Sequence, residues 1–387
     1  MKANVGSSAN SCPHIAGAEA AAKAKQGIEQ IKMAFAYASC DYDLDAVLAG
    51  IADEMPGIPV IGNTSFTGVI TPEGFIGSEA GFAAVMAVAD ADLCVGVAAV
   101  EKGKCAMADG EKAARLAMER AGKTTAPDYY YMVAPPAEEE FYVKGITEVI
   151  GRAPFFGGSA ADNTITGNWR QFTDKGVFAD GVAVAFFYTG KEMKNKFTGA
   201  YRETENMGII TKVDNHRTLV EIDGERALDK YASWRNMAAA DLKGGDLLAA
   251  TCLSPLGVKD RLGDLTAIRH PMNGNDDGSM AIGNCLAEGT AVIRMEATVD
   301  ELIDSAGNTL NQLKEQMNGP IGAFHLVHCG GRRAAIDSRI NEVAEQLKAA
   351  AGEIPFIVEF TFGEYGFEAD GQNTCGGLML SFTAFGR

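Results

Sequence analysis

Residues 58–65 read Ile-Pro-Val-Ile-Gly-Asn-Thr-Ser: a short apolar run, with proline second, that runs out into glycine and small polar residues. The phrase returns as Ala-Pro-Phe-Phe-Gly-Gly-Ser-Ala at 153–160 and, with a different tail, as Ile-Pro-Phe-Ile-Val-Glu-Phe-Thr at 354–361. Pro59 and Pro154 lie 95 residues apart, as do Gly62 and Gly157. Each phrase follows an amphipathic stretch, and each stretch follows an earlier apolar run. Repetition at a fixed period marks a repeated supersecondary unit.

Outward from the first phrase, 33–39 reads as a buried strand. Residues 41–54 place Leu44, Val47, Leu48 and Ile51 at helical spacing, with acidic residues in the first turn. The second copy has a strand from Tyr129, a helix over 138–150 and a strand over 153–156. The third has a strand from Ala323, a helix over 336–351 and a strand over 354–360. Helices are also expected over 18–31, 107–121 and 227–234. Strands are expected over 75–88, 93–100, 182–188, 219–222, 247–253, 265–268 and 378–385, with a polar stretch at 191–215 and a loop at 273–278. Strands alternate with helices in some places and with strands in others. The expected fold class is α/β to α+β, with repeated strand-helix-strand units in mixed sheets and two domains. The domains are expected at 1–212, with its internal repeat around 33–100 and 129–188, and at 213–387.

Hydrophobic residues make up 47% and charged residues 22%, so the chain has material for a sizeable core. A net charge of -17 and a pI near 4.8 argue against nucleic acid and against anionic membrane surfaces as partners. The longest apolar run, 82–100, is broken by Asp90 and Asp92, so it reads as strand, turn, strand rather than a membrane span. The first residues lack an apolar secretory core. The eight cysteines include no Cys-x-x-Cys pair, and reduced, mostly buried thiols in a cytoplasmic setting are expected.

Candidate chemistry sits just after the repeated strands. Gly62-Asn63-Thr64-Ser65 and Gly157-Gly158-Ser159 read as polar turns at the carboxyl ends of strands, where ligands of open α/β sheets bind. Glycine permits close backbone approach, and the hydroxyls and amide supply hydrogen bonds. Strand-terminating turns are the bland alternative. Neither phrase is a phosphate-binding loop, and no dinucleotide fingerprint follows a strand, so no cofactor is expected. His325 and His328 stand three apart on a strand and so face opposite sides; no metal site is expected. Cys329 beside Gly330, Gly331 and Arg332 is a candidate nucleophile with an arginine clamp, set against a buried thiol and a structural arginine. Gly363 and Glu364 put a carboxylate past the third phrase, able to meet an amine or to stay solvated. Glu288 carries the same ambiguity. The run Glu138-Glu139-Glu140 reads as helix N-terminal charge.

Taken together, these segments resemble the FIST family, named for F-box and intracellular signal transduction proteins. The N-terminal resemblance is carried by YASCDYDLDAVLAGI, PVIGNTSFTGVI, FFGGSAADN and Trp169-Arg170-Gln171-Phe172. The C-terminal resemblance is carried by LVEIDGERALDKY, AEGTAVIRM, HCGGRR and FTFGEYG. The resemblance implies an intracellular sensory protein that binds a small ligand, an amino acid or similar polar metabolite. The family-patterned positions are Gly62, Asn63, Thr64, Ser65, Gly157, Gly158, Cys329, Arg332, Gly363 and Glu364. Asn373 and Thr374 also follow the pattern, but Gln372 stands where a histidine is expected. No output module is seen beside the matched region, so signalling through a separate protein is expected. On the residues, zwitterion recognition assigns a carboxylate to the donors of 62–65 and 157–159, and an amine to Glu364. The alternatives are an enzyme built on Cys329 and Arg332, and an interaction scaffold.

Overall fold

A computed structural model describes residues 1–77, 79, 81–259, 265–368 and 372–387. Three units share one plan. The first runs strand Lys2–Ser8, helix Pro13–Ala24, strand Ile31–Ala38, helix Leu44–Glu54, strand Val60–Thr64, hairpin Gly68–Thr71/Gly74–Gly77, strand Ala83–Ala89. The second runs Cys94–Glu101, Ala106–Arg120, Tyr129–Ala134, Glu139–Ile150, Phe155–Ser159, hairpin Gln171–Thr173/Gly176–Phe178, and Gly181–Tyr188. The third starts at Met193–Thr198 and resumes with helix Val299–Gln316, strand Ile321–Cys329, helix Ile340–Ala351 and strand Phe356–Thr361. It closes with hairpin Glu364–Phe367/Asn373–Gly376 and strand Leu380–Gly386. Between its first strand and its first long helix is inserted a further sheet with short helices, spanning 202–296.

In each unit the repeated phrase forms a strand parallel to the one before its helix, as Ala36 pairs with Gly62, Met132 with Gly157 and Leu326 with Val358. A helical crossover is what a parallel pair requires. The hairpins do not stay at home. The second unit's Gln171–Thr173 pairs with the first unit's Val60–Thr64, the third's Glu364–Phe367 with the second's Phe155–Ser159, and the first's Gly68–Thr71 with the third's Phe356–Thr361. The exchange closes a ring of three. Phe35, Tyr131 and His325 hold equivalent register positions, and their ring centroids lie 5.1, 4.6 and 5.3 Å apart. They mark a pseudo-three-fold axis. Around it pack Phe156, Phe187 and Phe385, all fully buried.

Asp90 and Asp92 do interrupt the long apolar run, which forms the strands Ala83–Ala89 and Cys94–Glu101. Other expectations need correction. The first helix is Pro13–Ala24, not 18–31: Pro13 occupies its first turn and Ile31 already begins a strand. Residues 247–253 are largely the helix Asp246–Thr251, and the third unit's helix is preceded by a short one, Gly330–Ile336, broken at Asp337 with φ 51°. The expected strand at 75–88 is two, Gly74–Gly77 and Ala83–Ala89, and the expectation at 78 and 80 lies outside the described residues. The polar stretch 191–215 holds the strands Met193–Thr198 and Arg202–Asp214. All but Ser65 of the expected turns at 62–65 and 157–159 are strand: Gly62, Asn63 and Thr64 lie in Val60–Thr64, and the glycines and Ser159 in Phe155–Ser159. Their outer edges are paired by another unit's hairpin, and that pairing continues the ladder beyond the apolar run.

Candidate functional site

The three phrases end on one side of the ring. Gly62 is required by close approach, since a Cβ there would stand 1.7 Å from the Ala36 carbonyl oxygen. Gly157 has φ 132°, and a Cβ there would stand 2.0 Å from the Met132 oxygen. Gly158 faces the Thr361 side chain. The polar residues beside them are spent inside the fold. Ser65 Oγ donates to the Gly68 oxygen at 2.6 Å and accepts from the Phe360 amide at 2.8 Å. Thr64 Oγ1 accepts from the Arg170 amide at 2.9 Å. Asn373 donates to the Ala153 oxygen at 2.9 Å, and lies apart from the strand ends.

Glu364 is fully buried, accepting from Thr361 Oγ1 and the Met379 amide, both at 2.8 Å. Burial pushes its carboxyl up to about 8. Each oxygen thus already accepts one hydrogen bond inside the fold, and the group is closed off from solvent. Arg332 is also fully buried, donating to the Gly199 oxygen at 2.6 Å, the Leu302 oxygen at 3.1 Å and Ser305 Oγ. It bonds structural carbonyls, not a cleft. Cys329 Sγ accepts from the Gly331 and Leu378 amides at 3.3 and 3.2 Å, yet burial pushes the thiol well above its ordinary range. A neutral, enclosed thiol is a poor nucleophile. His325 and His328 do face opposite sides, toward Phe35 and Phe360 respectively. Among the described residues, no group of three or more metal-ligating side chains is arranged to hold an ion.

On the axis, five fully buried polar residues form one network, two of them Tyr131 and His325 of the Phe35 layer. Asn63 Nδ2 donates to Glu359 Oε2 at 3.0 Å, and Tyr131 Oη lies 3.1 Å from both Asn63 Oδ1 and Glu359 Oε1. Tyr37 Oη contacts Tyr131 Oη at 3.3 Å and also His325 Nε2. Burial drives His325 down to about 3, so the ring is neutral and its 3.7 Å approach to Glu359 is no ion pair. Burial lifts Glu359 to about 7. Counting protons gives the reason that the neutral acid fits. Tyr131 has one proton for two acceptors. A protonated Glu359 donates to Tyr131, whose own proton then serves Asn63 Oδ1. An ionised Glu359 claims that proton and leaves the amide oxygen without a donor.

A second cluster lies where the inserted sheet closes on the second unit. Glu139, first residue of its helix, is 1% exposed; its Oε2 accepts from Arg217 Nη2 at 3.0 Å and from the Ala137 amide at 2.7 Å. Arg217 also bonds Glu140 and the Gly283 oxygen, and Glu140 Oε1 accepts from the Cys285 amide at 2.9 Å. Burial, then the neighbouring Glu140 charge, raise the Glu139 carboxyl, with Arg217 opposing. Among the described residues, Glu139 Oε1, Asn284 Oδ1 and Arg217 Nε have no hydrogen-bond partner. The repeated strand ends frame this seam. A Cβ on Gly363 would stand 2.8 Å from Ser159 Oγ and 3.4 Å from Glu139 Oε1, and one on Gly377 would stand 3.4 Å from Asn284 Oδ1. Ser159 Oγ is 2.8 Å from Tyr365 Oη. Sequence reasoning takes Glu138-Glu139-Glu140 for helix-terminal charge and does not single out Arg217 or Asn284. The signal that could find the seam is position: the run follows Pro135-Pro136 directly after a central strand. Glu288, by contrast, caps the Val213 amide at 3.1 Å on an exposed edge.

Among the described residues no helix is long and apolar enough to cross a membrane. No curated protein matches the chain in sequence. Among solved structures it is similar to a cyanuric acid hydrolase from A. caulinodans, at 11% identity and TM-score 0.35, over 100% of this chain and 99% of that one. It is also similar to PurLQS from Thermotoga maritima, at 9% identity and TM-score 0.23, over 99% of this chain and 72% of that one. Neither likeness is close enough to carry an argument about fold or function. Family models match at residues 32–225 for the FIST N domain and 227–366 for the FIST C domain. The chain belongs to the FIST family of ligand-binding sensory domains in signal transduction.

Proposed function

We propose that this chain senses an amino acid or a similarly small zwitterion, and that the ligand binds at the seam between the inserted sheet and the second unit. The observation that carries the reading is the set of buried polar atoms left unpaired there. Glu139 Oε1 and Asn284 Oδ1 are acceptors, and Arg217 Nε is a donor. A buried polar atom without a partner costs about 1–3 kcal/mol, and a ligand that supplies the partner recovers it. An ammonium suits the two acceptors; a carboxylate suits the guanidinium, which presents donors in a fixed fork. Gly363 and Gly377 keep side-chain bulk out of the seam, and Ser159 is the member of the repeated phrase that reaches it. The ammonium partner is therefore Glu139 rather than Glu364. Eight free cysteines fit an intracellular, reducing setting.

The test is a thermal-shift screen of the purified protein against the twenty amino acids, repeated on Glu139→Gln. A ligand that binds only the folded state at roughly a hundred times its Kd stabilises by about 2.7 kcal/mol. We expect a concentration-dependent rise with at least one amino acid, and its loss in the variant. A flat screen, or a rise that Glu139→Gln leaves intact, would sink this reading.

A further inference from the structure

Away from the seam, an open cavity of about 400 Å3 lies between the inserted sheet and the start of the third unit's long helix. Three arginines line it, together with Trp234 and Ser254. They come from three different elements: Arg202 opens a strand, Arg235 caps a helix and Arg294 lies mid-strand. Their charges are unequally matched. Arg202 is held by Glu296 at 3.0 Å and Glu301 at 2.8 Å. Arg294 shares Glu296 at 3.6 Å, donates to Ser254 Oγ at 3.3 Å, and its Nε has no partner among the described residues. Arg235 donates to the Ala250 oxygen at 3.0 Å and lies 5.8 Å from the Tyr231 ring, and it has no ion pair among the described residues. Three guanidiniums thus meet two carboxylates. Arg235 thus brings to the cavity a charge that no carboxylate among the described residues pairs.

We propose that this cavity is a second ligand site, for an organic anion that carries a planar ring. Its carboxylate or phosphate is received by Arg235 and Arg294, and its ring lies along Trp234. Guanidinium forks match both oxyanions in pairs, and an indole face offers a large apolar wall at small entropic cost. Arg202 is fully engaged and serves to fix the wall. Ala297 and Thr298, which lead into the long helix, line the same cavity, so an occupant touches both the inserted sheet and the three-unit body. The site shares no residue with the seam, and neither proposal depends on the other.

Isothermal titration and tryptophan fluorescence test it, with phenyl phosphate, benzoate and inorganic phosphate as probes. Phenyl phosphate or benzoate should bind saturably and change the emission, and Trp234→Phe should abolish the change and leave only the signal of Trp169. Losing one charge-assisted pair in Arg235→Gln should weaken binding roughly ten- to a hundredfold. If Arg235→Gln does not fold, Arg235→Lys keeps the charge and loses the fork, and should also bind more weakly. The better of the two ring probes identifies the preferred oxyanion. No saturable binding by either ring probe, or binding that neither Arg235 variant alters, overturns the site. Inorganic phosphate binding as tightly as phenyl phosphate overturns the planar-ring component.

Discussion

Glu359 sits at the centre of the ring with its carboxyl pushed up to about 7 from an ordinary 4.5. Because the folded value lies above the unfolded one, the folded chain holds the proton more tightly. The stability this represents is fully present below about pH 4.5 and is lost as the pH rises through about 7. The gap corresponds to about 3 kcal/mol. Glu359→Gln keeps the shape of the neutral acid and has nothing to ionise. In urea unfolding near pH 5 and near pH 8, it should therefore lose about 2.5 kcal/mol less between the two conditions than the parent protein does. Equal losses in the two proteins would mean that Glu359 does not hold this proton. The sequence offers little warning of such a residue. Glu359 lies inside the third repeated phrase, where the alternation of a strand alone does not say that its partners are Asn63 and Tyr131 from two other units.

The helix Val299–Gln316 shows at the scale of an element why local signals differ in worth. Thr298 Oγ1 accepts from the Glu301 amide at 3.2 Å, and Glu301 Oε2 accepts from the Thr298 amide at 2.7 Å, a reciprocal cap. Thr298→Ala removes half of it and should cost about 1 kcal/mol, read as a lower urea midpoint with an unchanged slope. A variant as stable as the parent would show that the cap is idle. Sequence reading passes over this helix although the Thr298-x-x-Glu301 signature is legible. It recovers the three strand-helix-strand units because each buries itself through local periodicity. It mistakes 247–253 for a strand because a short apolar run has no period of its own. It places the repeated glycines at strand ends but misses that those strands continue, since the strands that prolong them arrive from about a hundred residues away or more. The seam is hidden for a related reason: which atom of Glu139 lacks a partner depends on Arg217 and Asn284, neither of which is near it in sequence.

The hairpin exchange governs the molecule as a whole. Every unit completes its neighbour's sheet and depends on the other neighbour to complete its own. Excised, the first unit would expose the outer edge of Val60–Thr64, which Gln171–Thr173 normally pairs, and would carry Gly68–Gly77 as a hairpin with no strand to join. An isolated hairpin is marginal in water, and an unpaired edge beside an apolar face invites association. The axial residues make the loss worse. Phe35 packs on Tyr131 and His325, which belong to the other two units, so a lone unit would present Phe35, Met86 and Ile61 to solvent. A fragment of residues 1–92 should therefore show little fixed structure by near-ultraviolet circular dichroism, or should aggregate. The three-unit body of the whole chain should unfold in one cooperative step in which far-ultraviolet signal and Trp169 fluorescence change together. Trp169 is a suitable reporter because it packs edge-on against Phe362 of the third unit, at 6.1 Å, from a loop of the second. A soluble, cooperatively folding 1–92 fragment would show that the units are self-sufficient and that the exchanged hairpins only decorate them. A Trp169 transition well ahead of the far-ultraviolet change would show that the contact between second and third units opens before the rest, which interlocking forbids.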